Sequence, residues 1–90
     1  MVHTVTLKQV KSTKKNKKIA AAVYLYQADN DGGWGELRFD FATGTAEIVR
    51  LAEWDTIKSD VFASTAIRYI QSLPEAKLPS EVVVMFDQAL

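Results

Sequence analysis

Between Gly35 and Leu51 large apolar residues alternate with charged ones. Leu37, Phe39 and Phe41 are interleaved with Glu36, Arg38 and Asp40. A period of two places the three apolar side chains on one face of a strand and the three charges on the other. Thr43-Gly44 supplies a reversal, and Thr45 to Leu51 forms the return arm of a hairpin. A two- or four-residue loop pairs Phe41 with Ala46 and Phe39 with Ile48, so all four share the core face. The same register sets Asp40 opposite Glu47, a like-charge pair costing roughly a few tenths of a kcal/mol. It also leaves Val49 and Leu51 on the charged face, which calls for a bulge or for partial cover of that face.

Two further strands precede the hairpin. Val2 to Val10 alternates, with Val5 and Leu7 facing inward. Ile19 to Tyr26 is apolar on both faces, the pattern of a central strand covered on both sides, of a tyrosine platform or of a subunit interface. Residues 11–18 break every period. Lys14, Lys15, Lys17 and Lys18 repel one another, so the segment reads as a solvated connecting loop. Asp29-Asn30-Asp31-Gly32-Gly33 is a turn, because Asn, Asp and Gly tolerate positive φ.

Phe62, Ala66, Tyr69, Ile70 and Leu73 recur at spacings of three and four, which predicts an amphipathic helix over about 57–73. Ser59 caps it, or Asp55 if it starts earlier, and Pro74 ends it. Residues 80–89 are ambiguous. Pro79-Ser80-Glu81 resembles a first helical turn, with Val82, Phe86 and Ala89 on one side, so a short helix is expected there. Val82 to Phe86 also has strand propensity, and a strand is the alternative. The expectation is one α+β domain spanning 1–90: a four-stranded antiparallel meander, an amphipathic helix and a short C-terminal element.

Composition narrows the function classes. An apolar fraction of 48% suits a packed globule. With no cysteine, disulfides and thiolate zinc sites are excluded. The longest apolar run, Ile19 to Tyr26, is too short to span a bilayer, so a soluble, cytoplasmic protein is expected. Net charge is zero, yet residues 1–28 carry six lysines and no acid, leaving five bases and eleven acids for the rest. Such polarity points to an anionic partner, to contact between subunits or to a self-neutralising globule.

Lys11, Lys14, Lys15, Lys17 and Lys18 form the first candidate site. They suit an anion or a phosphate backbone, and Tyr24 and Tyr26 on the next strand would add stacking surface for single-stranded nucleic acid. The order of four strands and a helix resembles that of single-stranded nucleic-acid-binding domains of the PUR and Whirly type. The resemblance is one of element order alone and transfers no residue. Trp34, Val49, Leu51 and Trp54 form the second candidate site, since with the doubly apolar strand they exceed what one helix covers. They suit an interface with a second copy or with another protein.

Catalytic and metal chemistry find little support. Counting from Asp29, the fifth and sixth positions of a calcium loop hold Gly33 and Trp34, which cannot serve, so no metal is expected. His3 is the sole histidine and lies near a terminus expected to be mobile, and no serine sits in a nucleophile context. The chain therefore reads as a non-enzymatic protein-interaction or self-association module without cofactor. The alternative is anion or single-stranded nucleic-acid binding through the loop at 11–18.

Overall fold

The computed structural model describes residues 2–16, 18–55, 61–74 and 78–87. Five strands, β1 (Val2–Lys15), β2 (Lys18–Ala28), β3 (Gly35–Asp40), β4 (Thr45–Arg50) and β5 (Glu81–Asp87), and one helix, α1 (Val61–Gln71), make an α+β fold. All strand pairs are antiparallel, in the order β4-β3-β2-β1-β5. The sheet thus has five strands where four were expected. The extra one is the C-terminal segment, read from sequence as a short helix. Its seven residues pair with Val2 to Lys8, satisfying backbone groups along the outer edge of β1. Three consecutive valines are stiff at χ1 and favour that extended state, and the pairing outweighs an accidental match to helical spacing.

The hairpin keeps its expected core face but not its register. Phe39 pairs with Ala46 and Leu37 with Ile48, a shift of two residues that preserves parity. The cause is Asp40, whose Oδ1 accepts the backbone N–H groups of Ala42 (3.0 Å) and Thr43 (3.3 Å). That side-chain turn closes the loop at residues 41–44, and Gly44 completes it with a φ of 69°. Glu47 consequently faces Arg38 instead of Asp40, and the like-charge pair does not form. The register shift between Glu36 and Leu37 is the bulge that the return arm called for. It turns Leu51 onto the core and leaves Val49 exposed.

Strand β2 is central in the sheet but covered on one face only. Ala22, Tyr24, Tyr26 and Ala28 are buried, whereas Ala21, Val23 and Leu25 are half-buried on the other side. The buried set packs with Val5 and Leu7 of β1, Leu37 and Phe39 of β3, and Phe62, Ala63, Ala66 and Ile70 of α1. The small residues Ala63 and Ala66 let the helix approach the sheet closely. The expected cap at Ser59 lies outside the described residues. Asp55, the other candidate, accepts the N–H groups of Phe62 (3.0 Å) and Ala63 (2.9 Å), taking the place of an N-cap side chain.

Gly35 occupies the tightest point of the fold. A Cβ there would overlap the Tyr26 ring and stand 2.6 Å from the Arg50 carbonyl oxygen. We expect Gly35→Ala to cost about 2–3 kcal/mol, because backbone and a locked ring cannot yield, lowering Tm by roughly 10 °C. Gly44→Ala meets nothing within 4 Å, and only its φ of 69° opposes it. It should cost about 1 kcal/mol, so thermal unfolding of the two variants separates steric from conformational cost.

Candidate functional site

The lysine segment is a two-stranded ribbon, which corrects its reading as a loop. Strand pairing continues outward to Lys15 opposite Lys18, and Asn16 enters the turn with a φ of 53°. An antiparallel ladder satisfies the backbone of both arms, and this outweighs the mutual repulsion of the side chains. The ribbon stands clear of the sheet on one side, because β5 pairs with β1 only as far as Lys8. Bulges between Gln9 and Lys11 and between Thr13 and Lys14 twist it. Lys11, Lys14, Lys15 and Lys18 are all exposed. None of the four forms an ion pair among the described residues. Lys15 directly opposite Lys18 is an unrelieved like-charge pair, worth roughly a few tenths of a kcal/mol. Lys17 lies outside the described residues.

Tyr24 and Tyr26 do not join the lysines. Both are fully buried on the face that α1 covers, so neither offers a ring for stacking. The Tyr24 hydroxyl donates to the Pro79 carbonyl (2.5 Å) and accepts from Gln9 Nε2 (3.1 Å). Burial is the main cause raising its pKa above the usual 10.0, with Tyr69 adding to the rise and the Gln9 hydrogen bond opposing it. The Tyr26 hydroxyl donates to Asp55 Oδ2 (2.7 Å) and accepts the Ala52 N–H (2.9 Å). Sequence could not distinguish these tyrosines from Val23 and Leu25, because both parities of β2 are apolar.

The second candidate set is dispersed. Trp34 is half-buried and Leu51 packs against the core, while Val49 projects from edge strand β4. The Trp54 side chain lies outside the described residues. Exposed apolar surface gathers instead at the opposite edge, where Val2 (59% exposed), Val83 (56%) and Met85 (70%) come together on β1 and β5. All three lie on the side away from α1. Sequence missed this corner because its β5 half was expected to be helical. The available signal was the uninterrupted run Val82 to Phe86 between Glu81 and Asp87.

His3 is held firmly, contrary to the expectation of a mobile terminus. Its ring is buried between Phe62 and Phe86, at centroid distances of 5.6 and 5.7 Å. Nδ1 bonds to Asp29 Oδ2 at 2.9 Å, and Asp29 Oδ1 accepts the Thr4 N–H at 3.1 Å. This pair ties the start of β1 to the end of β2. Asp29 and Asn30 adopt positive φ, and Asp31 Oδ1 accepts the Gly32 N–H at 2.8 Å, so the acidic stretch is a turn. Among the described residues no three His, Asp or Glu side chains are placed to hold a metal ion, and no helix is long and apolar enough to cross a membrane.

Two tests address these polar contacts. Asp55→Ala strips the acceptor from three donors, and we expect a loss of about 2–4 kcal/mol in urea unfolding. Tyr26→Phe should lose about 1–3 kcal/mol, and the double variant less than the sum, because one hydrogen bond is shared. For Tyr24 the folded pKa lies above the unfolded one, so its contribution is fully present below pH 10.0 and lost as pH rises through the folded value. Unfolding free energy measured at about pH 9 and about pH 11.5 should therefore fall, and fall less in Tyr24→Phe.

Comparison with protein-family models, with curated proteins and with solved structures finds no match to this chain.

Proposed function

We propose that the protein is a non-enzymatic interaction module that associates with a second copy of itself through edge strand β5. The observation that carries this is the character of that strand. It ends the sheet, and it is apolar on both faces: Val82, Val84 and Phe86 pack against the core, while Val83 and Met85 stand in the open. Edge strands of monomeric proteins are usually blunted by lysine, proline or an inward charge, and β5 has none of these between its end residues. Strand addition about a two-fold axis would join two sheets into one and bury the Val2, Val83 and Met85 corner of each copy. Zero net charge imposes no long-range repulsion between copies.

Charge also selects the register. Centring the pair on Val84 would set Glu81 against Asp87 of the other copy, two acids on the same face. Centring it on Val83 or Met85 separates the two acids and sets Val83 or Met85 against its own counterpart on the axis, with Met85 then facing Glu81 or Val83 facing Asp87.

Sedimentation equilibrium at about 100 µM should give a species of about 20 kDa, twice the chain mass of 10.0 kDa. Met85→Lys and Val83→Lys, each adding a charge to the open side of β5, should return the species to 10.0 kDa with Tm unchanged within about 3 °C. A wild-type protein that sediments as a monomer at that concentration rules the reading out.

A further inference from the structure

We propose that the lysine ribbon is a second binding site, separate from β5, which grips the phosphate backbone of duplex nucleic acid without reading its sequence. Residues 11–18 hold five lysines and no acid. The four lysines that are described are exposed and unpaired, and Lys15 faces Lys18 across the ladder. A phosphate seated between that pair would turn a repulsion into two attractions. Asp29 and Asp31 follow the far end of β2, and Asp40, opposite Ala21 near the base of the ribbon, turns its carboxylate to the N–H groups of Ala42 and Thr43, in a molecule that extends 41 Å along its longest axis. The resulting field presents one positive end, which steers an anionic polymer to the ribbon before contact.

Shape and composition decide which polymer. An ordered two-stranded ribbon, with strands about 4.8 Å apart and side chains on either side, matches a major groove about 12 Å wide. Ser12, Thr13 and Asn16 intersperse the lysines with uncharged groups that donate to phosphate oxygens. Single strands are usually held by aromatic stacking, and residues 10–22 contain no aromatic side chain. The nearest tyrosines, Tyr24 and Tyr26, are buried with their hydroxyls engaged. The lysines are therefore placed for backbone contact, where affinity comes from released counterions and not from bases.

The test uses the whole chain, a mixed-sequence duplex of about 20 base pairs, a single strand of equal length and vesicles containing phosphatidylserine. At about 50 mM salt the duplex should bind more tightly than the single strand or the vesicles, with log K falling against log salt at a slope of about −3 to −4.5. Lys14→Gln combined with Lys15→Gln should weaken duplex binding about tenfold or more and flatten the slope by about 2. Arg68→Gln, an exposed position on α1, should leave binding within about twofold of wild type. Circular dichroism and sedimentation of the ribbon variant should match wild type, which separates loss of this site from loss of folding or of β5 pairing. The proposal fails if the duplex does not bind, if the ribbon variant keeps the wild-type affinity and slope, or if Arg68→Gln is as damaging. It fails equally if the single strand or the vesicles bind more tightly than the duplex.

Discussion

The carboxylate of Asp55 binds three parts of the chain at one buried point. It accepts hydrogen bonds from the Tyr26 hydroxyl on the central strand and from two N–H groups at the start of α1, and the same hydroxyl accepts the Ala52 N–H. A helix of 11 residues is marginal on its own, so α1 persists because it is capped and packed. The negative charge lies at the positive end of the helix dipole, which strengthens the arrangement. Gly35 leaves the room in which the Tyr26 ring reaches this point. Loss of the carboxylate would release the helix N-terminus and the segment after β4 together, and with them the cover of the core.

The consequence of one short helix is a sheet with one closed face. On the covered side, aromatic rings from β2, β3 and β5 meet residues of α1, with Tyr24 edge-on to Phe39 and Phe62 edge-on to Phe86. On the other side, charges and apolar residues mix. Arg38 lies 4.0 Å from both Glu36 and Glu47, and Arg50 lies 4.0 Å from Glu36, so these two acids of β3 and β4 are balanced locally. Those exposed pairs contribute little to stability. They do account for the two halves of the open face: ionic over β3 and β4, apolar at the β1 and β5 corner. The association proposed for β5 and the electrostatic attraction proposed for the ribbon thus draw on different regions of the sheet.

How much of this was legible follows from which signals were unambiguous. Leu37 and Phe39 alternate with charges, and only one face could be buried; Phe41, in the loop, ends half-buried against Phe39. The helical stripe from Phe62 to Ile70 was equally plain. The hairpin register was not, because it depends on where the Asp40 side chain bonds, and parity hides a shift of two. Val82 to Phe86 satisfies both periods, and its state is settled only by the vacant edge of β1. Residues 11–15 carry no apolar alternation, so a strand made by ladder bonds alone left no trace in composition. The buried roles of Tyr24, Tyr26 and Asp55 were hidden for a related reason, since a polar group's partner lies far away in sequence.

The placement of β5 has a consequence for the order in which the fold is completed. Strands β1 to β4 are linked by successive hairpins, each closing a short loop, so their contacts form among near neighbours in the chain. The pairing of Val2 with Asp87 instead joins opposite ends of the sequence, across nearly the whole chain. Such non-local closure is slow compared with hairpin formation. During synthesis the inner edge of β1 finds β2 early, while its outer edge, with His3 beside it, waits for the last strand to emerge. The site of latest closure is therefore the one that borders the exposed apolar corner, and the nascent chain is most open to wrong pairing there.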